Sequence, residues 1–190
     1  PGVAAELIGV IRRARERGVR MWADQYPYTT SGSDGLVVLI PFWVLDGYDS
    51  ETQNYAEALN AALHDPASAA RIRADVEHQI ARRGGPDNIV VLDHPDRSLI
   101  GKSLGELARE RGVTAVDVAL QFQFEGYPNR FGGVRVRGFS LNQEDVIAFM
   151  KEPWVATASD AGIATVEDGA VHARHYGTFP RKIHEYAIER

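Results

Sequence analysis

The sequence contains no cysteine. Disulfide bridges and thiolate metal sites are therefore excluded within it. No apolar run approaches the roughly 18–20 residues that a membrane helix requires, so no membrane partner is expected. No stretch of lysine and arginine stands out. The 21 basic residues are outnumbered by 26 acidic ones for a formal net charge of −5, so no nucleic-acid partner is expected either. Internal repeats and low-complexity tracts are also missing, no secretory leader is visible from Pro1 onwards, and the lack of cysteine fits an expected cytoplasmic location. What is present is ordinary. In 190 residues, 44% are hydrophobic and 25% charged, enough for one globular domain, or one domain with an insertion, around a sizeable core. Both ends read as cut edges: Pro1-Gly2 runs straight into a helical pattern, and Tyr186 to Arg190 reads as mid-helix.

Leu7, Ile8, Ile11 and Ala14 recur at helical spacing, with Arg12, Arg13, Arg15 and Arg17 on the other faces and Gly18 as a stop. Val19 to Ala23 then reads as a buried strand, ended by Asp24-Gln25-Tyr26-Pro27-Tyr28, because Pro27 cannot donate to a ladder. Thr29 to Gly35 has the composition of a loop. Helix, short apolar strand and polar loop make one unit of an α/β protein, and such folds carry their chemistry at the C-terminal ends of strands.

The middle of the chain reads differently. Helices are expected over 50–64, 67–83, 104–111 and 114–124, the last capped by Thr114 with Asp117 three residues on. A short strand is expected at 89–92 and an extended edge over 132–138. Ser140 opens a helix over 142–151 with Glu144 and Asp145 in its first turn, where the macrodipole favours acids. Pro153 ends it, Trp154 to Ala158 reads as a second buried strand, and Ser159-Asp160-Ala161-Gly162 follows. The run from Val171 to Arg181 reads as loop, with a final helix from about Lys182.

Few residues invite a chemical role. Asp160 follows an apolar strand, where a carboxylate serves as a general base, a metal ligand or simply a turn residue. Tyr26 and Tyr28 flank Pro27 at the other strand end, either offering hydroxyls to a polar ligand or packing as an aromatic pair. Asp24 orients them or caps the strand. His172, Arg174 and His175 crowd four positions. The arginine fork suits a carboxylate, and the His-x-x-His spacing suits zinc, although no third or fourth ligand is evident. The alternative is a solvated loop paired with Glu167 or Asp168. His94 reads as a turn residue, and Gly101-Lys102-Ser103 lacks the glycine spacing of a phosphate loop.

Three separated segments point to one family. The run from Asp24 to Ser33 (Asp-Gln-Tyr-Pro-Tyr-Thr-Thr-Ser-Gly-Ser) resembles the Asp-x-Tyr-Pro-Tyr-x-x-Gly-Ser segment of the N-acyl-D-amino-acid deacylases, or D-aminoacylases, of the amidohydrolase superfamily. Ser159-Asp160-Ala161-Gly162 is similar to that family's Ser-Asp-Gly segment at its last barrel strand. His172-Ala173-Arg174-His175-Tyr176-Gly177-Thr178-Phe179-Pro180-Arg181 resembles its His-Pro-Arg-x-Tyr-Gly-Thr-Phe-Pro-Arg signature. Three departures stand out: one extra residue between Tyr28 and Gly32, Ala161 in place of glycine, and Ala173 in place of proline.

The resemblance implies an α/β fold, the C-terminal part of a metal-dependent (β/α)₈ barrel. Residues 1–39 would carry strand seven and its loop. Residues 40–152 would form a mostly helical insertion over the barrel mouth, and 153–190 would carry strand eight, the substrate loop and the next helix. It implies zinc-assisted amide hydrolysis, with Asp160 as the catalytic base and acid and a candidate metal ligand, and with Arg174, Tyr26 and Ser33 holding the α-carboxylate of an N-acyl amino acid substrate. The remaining metal ligands are expected upstream of Pro1, so the chain alone is expected to be inactive. Its bare barrel edges would be covered by the remainder of the barrel or by self-association. Two other readings stay open: an amidohydrolase for another linear or cyclic amide, and a non-catalytic domain derived from the barrel.

Overall fold

The computed structural model describes residues 2–34, 39–46, 55–128, 130–165 and 170–189. The chain divides into two compact units, one formed by residues 1–31 and 140–190, the other by residues 32–139. The second unit begins earlier than the expected residue 40 and ends before the expected residue 152, because the helix after Ser140 packs within the first unit.

In the first unit, α1 (Ala4–Glu16) buries Ala4 and Ile8 one turn apart. They meet Trp154 in a small core flanked by Ile11, Phe149 and Val155. No side chain of its own caps α1. The Asp145 carboxylate, in the first turn of α6 (Gln143–Met150), accepts the amide N–H groups of Gly2 at 2.5 Å and Ala4 at 3.2 Å. An anion thus meets the unsatisfied donors at the positive end of a helix. Arg12 pairs with the buried Glu152 at 2.5 Å. Asn142, rather than Ser140, caps α6 by accepting the Asp145 amide at 2.7 Å.

Strands β1 (Ala23–Gln25) and β5 (Val155–Thr157) pair in parallel, Ala23 with Val155 and Gln25 with Thr157. Parallel pairing needs a long crossover, and here more than a hundred residues of chain provide it. The second strand lies where the sequence predicts it. The first begins four residues later than expected. Residues 19–22 pair with no strand among the described residues, and Trp22 is 70% exposed. Its ring lies 5.3 Å from the Arg15 guanidinium, which also donates to the Met21 carbonyl.

The second unit holds the larger core, built from Leu39, Leu59, Ile72, Val76, Leu104, Val118, Phe122 and neighbours. Its helices are α2 (Tyr55–His64), α3 (Pro66–Ala81), α4 (Leu104–Arg111) and α5 (Ala115–Glu125). Asp65 caps α3 just before Pro66. Ser103 with Glu106, and Thr114 with Asp117, form reciprocal capping boxes. A three-stranded sheet has the order β2 (Ser31–Asp34), β4 (Arg135–Gly138), β3 (Ile89–Asp93), the last two antiparallel. The segment expected as a sheet edge therefore supplies the central strand. Its Val134 and Val136 are fully buried, which explains the placement. Among the described residues no helix is long and apolar enough to cross a membrane.

Candidate active site

Because β1 and β5 run in the same direction, the residues that follow them emerge at one end of the sheet. Tyr26 comes directly after β1 and Asp160 three residues after β5. This is the end where α/β folds gather ligand-binding groups. Asp160 has φ +49°, and among the described residues no other non-glycine residue has a positive φ. An L-residue pays about 1–2 kcal/mol for that conformation. Its carboxylate lies 3.1 Å from an Arg174 guanidinium nitrogen. The aspartate side chain is 69% exposed against 14% for the arginine, so the pair adds little stability to offset the strain. Strain without compensating stability is a mark of functional positions.

Arg174 opens α7 (Arg174–Ile183), and its guanidinium lies 5.0 Å from the centre of the Tyr26 ring. Its Nε is buried and has no hydrogen-bond partner among the described residues. Tyr26, Asp24, Tyr28 and Asp160 line a cavity of about 400 Å³ whose other walls include Leu7, Val146 and Phe149. Asp24 is exposed on β1 and lines this cavity. Ser33 lies in β2 by its backbone, and its side chain is outside what the structure describes. Glu167 and Asp168 are likewise outside the described residues.

The run from His172 to Arg181, read from sequence as loop, is mostly helix. Gly177 and Pro180 suggest a break, but contacts to the segment after β1 hold the turns in place. Arg181 donates through Nε to the Pro27 carbonyl at 2.8 Å, stacks over Tyr28 at 4.9 Å and pairs with Glu185 at 2.7 Å. Tyr28 donates to the Ala173 carbonyl at 3.4 Å. Gly177 is required by the same contact: a Cβ there would fall inside the contact distance of the Tyr28 hydroxyl. Beyond α7 the chain widens into a π-type turn, His184–Ile188.

The histidine pair does not form a metal site. His172 is 2% exposed. Its Nδ1 accepts the Arg174 amide at 3.0 Å, and its Nε2 lies 2.7 Å from Thr30 Oγ1 and 3.0 Å from the Thr30 carbonyl. His175 turns its ring beside Tyr176. Among the described residues no group of three or more His, Asp or Glu could hold an ion. His94, in the second unit, is a turn residue as expected but a buried one. Its Nδ1 accepts the Asp96 amide at 3.0 Å, and burial holds its pKa below the ordinary histidine value. The structure therefore brings together Asp160, Arg174 and Tyr26. It gives His172 a bonding role in place of a metal one, and adds contacts of Gly177 and Arg181, to which the sequence assigns no role beyond their place in the signature run.

No protein-family model matches the chain, and no curated protein matches it. Solved structures do. A D-aminoacylase, studied for its binuclear metal centre and described as defining a subset of amidohydrolases, superposes with a TM-score of 0.61 at 18% identity. An N-acyl-D-glutamate deacylase from Bordetella bronchiseptica, complexed with zinc and a phosphonate inhibitor, superposes with a TM-score of 0.58 at 19% identity. Each match covers 99% of this chain and 28% of the other. The chain thus shares its fold, over nearly its whole length, with about a quarter of a D-aminoacylase.

Proposed function

We propose that the chain is the part of a D-aminoacylase-type amidohydrolase that carries its proton-transfer carboxylate and its substrate-carboxylate clamp. In this reading the intact protein cleaves the amide bond of an N-acyl-D-amino acid. The carrying observation is the grouping of strained Asp160, Arg174 and Tyr26 at the common end of two parallel strands. The fold shared with D-aminoacylases supports it. Strands β1 and β5 would then be the seventh and eighth of a (β/α)₈ barrel, with residues 32–139 inserted between them in the chain.

Arg174 and the Tyr26 hydroxyl, joined by Ser33 according to the resemblance, hold the substrate's α-carboxylate. A fork donor and hydroxyls on one carboxylate fix which face of the amide is presented, so one enantiomer is in position to react. Asp160 accepts a proton from the attacking water and returns it to the departing amine nitrogen. The tetrahedral carbon then collapses to a carboxylic acid and a free amino acid.

The resemblance implies zinc, but among the described residues no group makes a zinc site. Asp160 is a single candidate ligand, and both nitrogens of His172 are already bonded. The chain alone is proposed to be inactive, its partner being the remainder of the barrel.

Hydrolysis of N-acetyl-D- and N-acetyl-L-amino acids by the intact protein with added zinc, beside Asp160→Asn, tests the reading. Turnover of the D substrates only, lost in the variant, supports it. Bound zinc with turnover of neither enantiomer points to another amide. Neither zinc nor turnover points to a non-catalytic barrel relative.

A further inference from the structure

His172 stands apart from the other histidines because one buried ring engages both segments of the candidate site. Its Nδ1 accepts the Arg174 amide at 3.0 Å, which assigns the single ring proton to Nε2. Nε2 then donates to the Thr30 carbonyl at 3.0 Å, with Thr30 Oγ1 at 2.7 Å sharing the contact. The ring packs edge-on against Tyr28, with centroids 5.3 Å apart, and tilted against Tyr26 at 5.9 Å. The Thr30 side touches the segment that carries Tyr26. The Nδ1 side touches the first turn of the helix that carries Arg174.

From these contacts we infer that His172 is a positioning residue: in its neutral Nε2–H form it sets the placement of Arg174 relative to Tyr26, and so the geometry in which a ligand carboxylate is held. The inference rests on the reading of Arg174 and Tyr26 as a carboxylate clamp. The Arg174 guanidinium sits over the Tyr26 ring at 5.0 Å, so a shift of either segment opens the clamp. A doubly protonated ring would present a donor to the Arg174 amide and break the link. A purely structural histidine would lower stability when replaced but would not discriminate between ligands with and without a carboxylate.

Two variants separate the two ends of the ring. In His172→Asn the short side-chain oxygen still accepts from the Arg174 amide but cannot reach Thr30. In His172→Gln the reach to Thr30 is kept and the Arg174 acceptor is lost. For the intact protein, KM and kcat are measured on an N-acetyl-D-amino acid and on its carboxamide, which lacks the carboxylate. Each variant is expected to lower kcat/KM for the acid by on the order of 10²-fold, mainly through a raised KM, the size of loss that an ångström-scale misplacement has. KM for the carboxamide should change little. Equal changes on both compounds, or no change, would overturn the inference. Long-range proton–nitrogen NMR of the wild-type ring at neutral pH gives a readout independent of turnover. It should find the proton on Nε2 and exchanging slowly with water. A freely exchanging or Nδ1-protonated ring overturns the placement even where the hydrolase reading holds. If the wild type hydrolyses nothing, the hydrolase reading fails, while a protected Nε2–H, with Tyr26 and Arg174 resonances that shift in His172→Asn, still supports the positioning role.

Discussion

Replacing Gly177 by alanine tests how tightly α7 is fitted to the segment after β1. Gly177 sits inside the helix, its amide bonded to the Ala173 carbonyl at 2.8 Å. In an exposed helix interior this change stabilises by about 1 kcal/mol. Here the new Cβ would overlap the Tyr28 hydroxyl oxygen, while the ring's Cζ would stay at an ordinary 3.6 Å. Tyr28 cannot yield freely, being held by the His172 ring, the Arg181 guanidinium and the Ala173 carbonyl. Overpacking of this kind costs about 1–3 kcal/mol, so the net expectation is a loss of about 1 kcal/mol. In a Tyr28→Phe background the overlapping atom is gone, and the same alanine should stabilise by about 1 kcal/mol. The two backgrounds should therefore differ by about 2 kcal/mol, a coupling that a double-mutant cycle reads directly. Urea unfolding of the intact protein, followed by the fluorescence of buried Trp154, measures it. An alanine that stabilises equally in both backgrounds would refute the contact between Tyr28 and α7.

Two further predictions concern the second unit. Burial depresses the pKa of His94 when folded, so between that depressed value and the ordinary 6.5 the unfolded chain binds more protons. Stability conferred by neutral His94 should be intact above pH 6.5 and fall as the pH drops through that window. Unfolding midpoints measured from pH 7.5 to 5 should decline more steeply for the wild type than for His94→Gln, and parallel profiles would contradict the assignment. Thr114→Ala removes the hydroxyl that accepts the Asp117 amide at 3.1 Å and donates to its carboxylate at 2.6 Å. It should cost about 1 kcal/mol, and an unchanged unfolding midpoint would count against the capping box.

The local elements are legible where a short-range rule governs them. Gly112, with φ +67°, ends α4, and Thr114 with Asp117 starts α5, as the residue types require. Asp65-Pro66 opens α3 for the same reason. Elements that depend on distant partners are less legible. Residues 19–22 are apolar enough for a strand, but ladder bonds need a neighbour, and β5 pairs only from Ala23 onwards. Residues 135–138 look like an edge until strands on both sides are known. Gly177 and Pro180 argue against a helix in isolation, and contacts to Pro27, Tyr28 and Thr30 override them.

The same division holds for the candidate site. Its inventory is already present in the order of residues: the carboxylate at a strand end, the tyrosines beside Pro27, the arginine among histidines, and the lack of any thiolate ligand. These follow from residue chemistry and spacing along the chain. Only the tertiary structure decided that Asp160 and Tyr26 meet at one end of a parallel strand pair, that Arg174 reaches both, and that His172 is a buried tether rather than a metal ligand. Those facts depend on residues some 130 to 150 positions apart being brought together by strand pairing and helix packing, which no local spacing encodes.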